Sequence, residues 1–220
     1  MDIFKEVSNR TNREIIFINS NLGNQSHDID IYCVTKGGES STHCFWNEEG
    51  VWTEIFIDSI ENVEHKINTV DCLGINYLTM LPFFYGDREI HNILCEKANN
   101  VKQNYNLYDL DAKLYAYRIR ISYEKIVTAD NEWNKRLFIN AMTYPIIQYL
   151  LGKYHIFQKS PRNWIEQLKE TMGNDYIDLE VLFDGKYDYE KIGKFVEKYI
   201  EPLSEINLYR LGKNRSSRVE

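Results

Sequence analysis

The stretch Asp28-Ile29-Asp30-Ile31-Tyr32-Cys33-Val34 alternates acid and apolar residues at its start. Along a β-strand successive side chains point to opposite faces, so Asp28 and Asp30 share one side while Ile29 and Ile31 point into a core. A polar turn, Asn19-Ser20-Asn21-Leu22-Gly23-Asn24-Gln25-Ser26-His27, leads into it. A later stretch, Trp52-Thr53-Glu54-Ile55-Phe56-Ile57-Asp58, reads as a second strand with Glu54 among apolar neighbours. Carboxylates held side by side repel unless a positive charge sits between them. Mg²⁺ is the natural counter-charge, because it takes hard oxygen ligands and leaves room for substrate phosphates. Two acids on one strand and a third on another are thus the layout of a phosphoryl or nucleotidyl transfer site. Without that chemistry, Asp28 would cap a turn and Glu54 would be a solvated strand residue.

The chain has 220 residues, of which 43% are hydrophobic and 14% aromatic, with only 4 Pro and 11 Gly, so a folded protein with a real core is expected. A net charge of −7 argues against a general nucleic-acid binder, which needs a basic footprint. The acidic balance suits metal ions or a cationic substrate better. Cys33, Cys44, Cys72 and Cys95 have neither metal-type spacing nor a secreted disulfide pattern. The N-terminal residues lack an apolar leader, and no run is long and apolar enough for a membrane span. A cytoplasmic, reduced protein without membrane partners is the expectation.

Residues 1–12 read as a short helix or arm, Glu14–Ile18 as a strand, and His27–Val34 as the acid-bearing strand. Lys36–Ser41 is a turn, His43–Trp46 a short strand, Asn47-Glu48-Glu49-Gly50 a hairpin signal and Val51–Ile57 a third main strand. Ser59 is placed to cap a helix running to about Asn68. After Asn99-Asn100 the pattern turns helical. Leu110, Leu114, Tyr117, Ile121 and Lys125 recur at helical spacing, as do Leu137, Ala141, Tyr144, Gln148 and Leu151, then Ile192, Val196 and Ile200. Asp184-Gly185 and Glu201-Pro202 punctuate this half, and Lys213–Arg218 form a basic tail. The fold class is therefore α+β: an α/β domain over 1–104, followed by a helical bundle over 105–220.

At these residues the chain resembles the nucleotidyltransferase superfamily that includes DNA polymerase beta, and within it kanamycin (aminoglycoside 4′-) nucleotidyltransferase. The likeness rests on Ser26-His27-Asp28-Ile29-Asp30-Ile31-Tyr32-Cys33-Val34, on Gly50-Val51-Trp52-Thr53-Glu54 with Phe56-Ile57-Asp58-Ser59, and on Leu81-Pro82 with its aromatic neighbours. It spans roughly residues 13–100 and extends more faintly into the helical half. It implies a mixed sheet, Mg²⁺-dependent transfer of a nucleoside monophosphate from ATP or another nucleoside triphosphate to a hydroxyl, and a homodimer. Position by position, Asp28, Asp30 and Glu54 match the metal-binding acids and Ser20 the phosphate-contacting serine. Asn19 stands where the family has glycine, adding a side chain where phosphates must come close, and the turn before Asp28 is shorter than the family's.

Kanamycin-type enzymes also draw a general base from the first long helix of the bundle, and there the resemblance points to Glu124, with Lys125 adjacent. An exposed helix acid paired with a lysine is the plainer reading. Glu48, Glu49, Asp58 and Glu61 would give the cleft mouth a negative field attractive to a polycationic acceptor, or else form a solvated acidic face. Arg118 and Arg120 fall on different helix faces, a mixed surface and core pattern. The expected partners are a nucleotide and a small hydroxyl-bearing acceptor such as an aminoglycoside. Two other readings stay open: a degenerate, non-catalytic binding or regulatory protein on the same fold, and an enzyme that nucleotidylates a protein.

Overall fold

A computed structural model describes residues 1–23, 28–106, 109–159, 161–183 and 187–202. Residues Ser26 and His27 of the polar turn, Leu107, Asp184-Gly185 and the basic tail lie outside the described residues. By its internal contacts the chain divides into two compact units, Met1–Asn104 and Tyr105–Glu220. The fold is α+β, with a five-stranded mixed sheet in the first unit and helices in the second.

The first unit runs α1 (Ile3–Ser8), β1 (Ile15–Ser20), β2 (Asp28–Thr35), β3 (Ser41–Trp46), β4 (Trp52–Ser59), α2 (Ile60–Asn68), α3 (Cys72–Met80), β5 (Phe83–Gly86) and α4 (Arg88–Gln103). The strand order is β3-β4-β2-β1-β5. Among the described residues only β2 and β4 pair in parallel, with Asp30 opposite Glu54 and Asp28 opposite Trp52; the other ladders are antiparallel. The β3–β4 hairpin closes as its sequence suggests: Asn47 Oδ1 accepts the N–H groups of Glu49 and Val51 at 3.0 and 2.9 Å. Gly50 completes the turn at φ 73°, a backbone region open to glycine at little steric cost.

Strand alternation sorts the two faces of the sheet. Ile29, Ile31 and Cys33 of β2, Ile55 and Ile57 of β4 and Ile18 of β1 form a buried cluster with Ile3 and Val7 of α1. On the opposite face Tyr77 of α3 stacks over Tyr32 and lies 4.3 Å, centroid to centroid, from Phe56. Helices α2, α3 and α4 pack on one another, and α4 meets β1. Their starts are written in the sequence: the side chains of Ser59, Asp71 and Asp87 each accept a first-turn N–H.

β1 runs two residues beyond the expected Ile18. Asn19 pairs with Tyr32 on one side and Phe83 on the other, and Ser20 donates its N–H to the Pro82 carbonyl at 2.8 Å. Asn19 and Ser20 are therefore buried strand residues, and the turn begins at Asn21. Asp58 also departs from expectation. It is buried, not at a cleft mouth, and takes Tyr32 Oη at 2.8 Å, Lys66 Nζ at 2.7 Å and the Ser40 hydroxyl.

The second unit contains α5 (Asp109–Thr128), α6 (Glu132–Lys153), α7 (Trp164–Met172), α8 (Tyr176–Glu180) and α9 (Tyr189–Tyr199). Among the described side chains of α5 the fully buried apolar ones are Ala116, Ile119 and Ile126, while Leu114, Tyr117 and Ile121 of the expected stripe are half-buried and Leu110 lies outside the described side chains. The inward face is thus rotated from the one the sequence suggested. Arg118 is exposed, whereas Arg120 is buried and donates to Glu197 and to the carbonyls of Ile200 and Glu201, tying α5 to the end of α9. Among the described residues no helix is long and apolar enough to cross a membrane.

Candidate functional site

The register of the sheet lays the candidate acids out in rows. Cys44, Glu54 and Asp30 lie side by side on β3, β4 and β2. Asn21, just past the end of β1, extends that row by donating its backbone N–H to the Asp30 carbonyl at 3.3 Å. Trp46, Trp52 and Asp28 form the row on one side, and Phe56, Tyr32 and Asn19 the row on the other. Because residues paired across a ladder face the same side, and so do residues two apart along a strand, the three acids share the face that Tyr77 partly covers. Asp28, Asp30 and Glu54 are each half-buried.

Other side chains hold this face in shape. Trp52 donates its indole N–H to Glu54 Oε1 at 2.9 Å and packs edge-on against Trp46 at 5.3 Å. Asn21 Oδ1 accepts the Asp30 N–H at 2.9 Å, and its Nδ2 lies 3.3 Å from the Asp28 carbonyl and 3.5 Å from Asp30 Oδ2. Burial, together with the nearby charges of Asp30, Glu54 and Asp28, raises the Tyr77 phenol above its usual range, so it stays a neutral donor. Asn21, Trp52 and Tyr77 are absent from the sequence-derived site. Asn21 reads as one more turn residue and Trp52 as one more strand aromatic. Tyr77 reaches the face only because α3 folds back over it.

The phosphate-contacting role expected of Asn19 and Ser20 meets a more enclosed setting. Asn19 is 0% and Ser20 3% exposed. The Asn19 side chain donates to the Leu78 carbonyl at 2.9 Å, and Ser20 Oγ accepts the Leu22 N–H at 3.1 Å. The Ser20 hydroxyl oxygen and the N–H of Leu22 thus close a small local turn instead of an open phosphate cradle. Glu124 stands exposed on α5, in the second unit, with its carbonyl accepting the Thr128 hydroxyl.

The donor set suits a hard divalent cation, since Asp28, Asp30 and Glu54 offer only carboxylate oxygens from one face. As the side chains stand, however, Glu54 is turned to Trp52. Among the described residues no three His, Cys, Asp or Glu side chains are gathered to hold a metal ion.

Neither a protein-family model nor a curated protein sequence matches the chain. Among solved structures the chain is similar to a nucleotidyltransferase-like protein from Exiguobacterium sibiricum 255-15, with a TM-score of 0.54 and 8% identity over 89% of this chain and 72% of that one. At this identity the likeness speaks to fold alone: a nucleotidyltransferase-type α+β arrangement with a helical C-terminal part.

Proposed function

We propose that the chain is a nucleotidyltransferase that moves a nucleoside monophosphate from ATP or another nucleoside triphosphate to a hydroxyl of a small molecule. The single observation that supports this most is the placement of Asp28, Asp30 and Glu54 on one sheet face, with Asp30 and Glu54 directly opposed in register. The nucleotidyltransferase-type fold is consistent with reading that face as the site of the chemistry. When bound, Mg²⁺ would supply charge neutralisation to the triphosphate and its leaving group. Asp28 and Asp30 are its proposed ligands, and Glu54, which now accepts from Trp52, would join them from the same face. Tyr77, a neutral donor above the acids, is suited to hydrogen-bond an anionic substrate oxygen. Ser20 keeps a hydroxyl proton to offer to a terminal phosphate. Glu124 is proposed to take the acceptor's proton, a role that a Glu124→Gln substitution addresses separately.

The acidic face and the sequence resemblance to kanamycin nucleotidyltransferase favour a cationic acceptor of the aminoglycoside kind. The same resemblance carries the proposal of a homodimer. The four free cysteines fit a reducing, cytoplasmic setting.

The test is transfer of label from an α-labelled nucleoside triphosphate to a panel of aminoglycosides. Asp30→Asn should lower transfer by about 10²–10³-fold or more, the scale of losing one preorganised electrostatic contact, with little change in melting temperature. Undiminished transfer in that variant contradicts the mechanism. A second reading has its own observation. The enclosed Asn19 and Ser20, with the Ser20 N–H given to Pro82, favour a member of this fold that has lost catalysis. That reading predicts no transfer by the wild-type protein to any acceptor.

A further inference from the structure

We propose that Asn21 is a positioning residue that holds Asp28 and Asp30 in cation-binding arrangement before the cation arrives. This rests on reading the two acids as cation ligands. The β1–β2 ladder ends at the pair Ser20 and Ile31, so the acid-bearing start of β2 lies beyond the last paired residue of β1. On its other side the same segment is in register with β4, from Asp28 opposite Trp52 onward. Asn21 takes over where β1 stops. Its backbone N–H donates to the Asp30 carbonyl at 3.3 Å, and its side-chain Oδ1 accepts the Asp30 N–H at 2.9 Å. Its Nδ2 reaches the Asp28 carbonyl at 3.3 Å and faces Asp30 Oδ2 at 3.5 Å.

A carboxamide has the donor and acceptor of a peptide group, so it can continue a ladder that the backbone has left. One side chain thereby touches backbone groups of both acids and one of the carboxylates. The segment's φ and ψ are fixed from both sides, which keeps the two carboxylates at the spacing of neighbouring same-face residues. The Nδ2 protons also lend Asp30 partial positive charge while no cation is there. Groups that orient ligands in this way govern metal affinity through preorganisation, not through direct coordination.

The experiment is binding of Tb³⁺, a hard oxygen-seeking ion whose luminescence is excited through nearby tryptophan, with Mg²⁺ competition giving the Mg²⁺ affinity. It needs no turnover, and Trp52, in register beside Asp28, is placed to be the antenna. Asn21→Ala should weaken Mg²⁺ affinity by about 10–100-fold, the usual loss when a ligand's supporting partner is removed. Asn21→Asp keeps the acceptor for the Asp30 N–H and turns a carboxylate toward Asp30. It should therefore lower the cation-free melting temperature and regain the wild-type value when Mg²⁺ is added. Wild-type affinity in Asn21→Ala overturns the proposal, because a purely structural residue would shift cation-free stability alone. Should Asn21→Ala fail to fold, Asn21→Ser, which also removes the Nδ2 contacts to Asp28 and Asp30, replaces it with the same expected loss. Wild-type affinity there, or a melting temperature in Asn21→Asp that Mg²⁺ does not raise, overturns the proposal equally. A wild-type signal that persists in Asp28→Ala, or no signal at all, refutes the acids as ligands, and the positioning role falls with them.

Discussion

Cys44 lies beside Glu54 across the β3–β4 ladder and is the exposed one of the four free thiols. Burial pushes the Cys33 thiol up to about 12 and also raises Cys95, so neither offers thiolate near neutral pH. Iodoacetamide at mildly alkaline pH should therefore modify Cys44 first and leave Cys33 intact, as peptide mass spectrometry would record. Early labelling of Cys33 would mean that the sheet core opens. At this scale much of the acid face was legible. Strand alternation alone puts Asp28 and Asp30 on one side, and their apolar neighbours say which side is core. Asn21 and Tyr77 were not legible, for different reasons. Asn21 is a polar residue in a polar turn until the Asp28–Asp30 segment lies against it, and Tyr77 is one tyrosine of 16 until α3 crosses the sheet. The burial of Asp58 is not visible in the sequence, because its partners Tyr32, Ser40 and Lys66 come from a strand, a loop and a helix at separate places along the chain.

At the scale of elements, the hairpin at Asn47–Gly50 and the helix capped by Ser59 follow from local chemistry, and the sequence carries both. The end of β1 does not follow locally. Asn19 and Ser20 look like turn residues, but ladders to β2 and β5 on both sides hold them extended. The buried face of α5 is likewise decided by its partners, α6 and α9, more than by its own periodicity. A partly buried ion pair joins α2 to the sheet: Lys66 Nζ, on a side chain 29% exposed, lies 2.7 Å from Asp58 Oδ2, whose side chain is only 3% exposed. Stripping one partner from a fully buried pair costs about 3–5 kcal/mol, because it strands the other charge, and the partial exposure of Lys66 puts this pair at the low end. Lys66→Met keeps the aliphatic stem, and Asp58 keeps its two hydroxyl donors. The expected loss is therefore at the low end, about 3 kcal/mol, read from urea unfolding. A loss well under that would mean that the hydroxyls satisfy Asp58 without the lysine.

At the scale of the whole molecule, the chain comprises two compact units, with the acid face in the first and Glu124 in the second. The change in sequence character near Asn99-Asn100 falls inside α4, well after the last strand ends at Gly86 and a few residues before the first unit ends at Asn104. Sequence could not show whether one unit serves the other, because the pairing of a strand acid with a helix acid is a matter of tertiary assembly. The most direct measurement is a thermal-shift panel of the four ribonucleoside triphosphates, each with and without Mg²⁺, on the wild-type protein and on Asp28→Ala. A ligand bound only by the native state raises the melting temperature, by the equivalent of about 2.7 kcal/mol at a hundredfold excess over its dissociation constant. The account predicts a rise that needs both triphosphate and Mg²⁺ and that disappears in Asp28→Ala. No rise with any nucleotide, or one that survives the substitution, would contradict it.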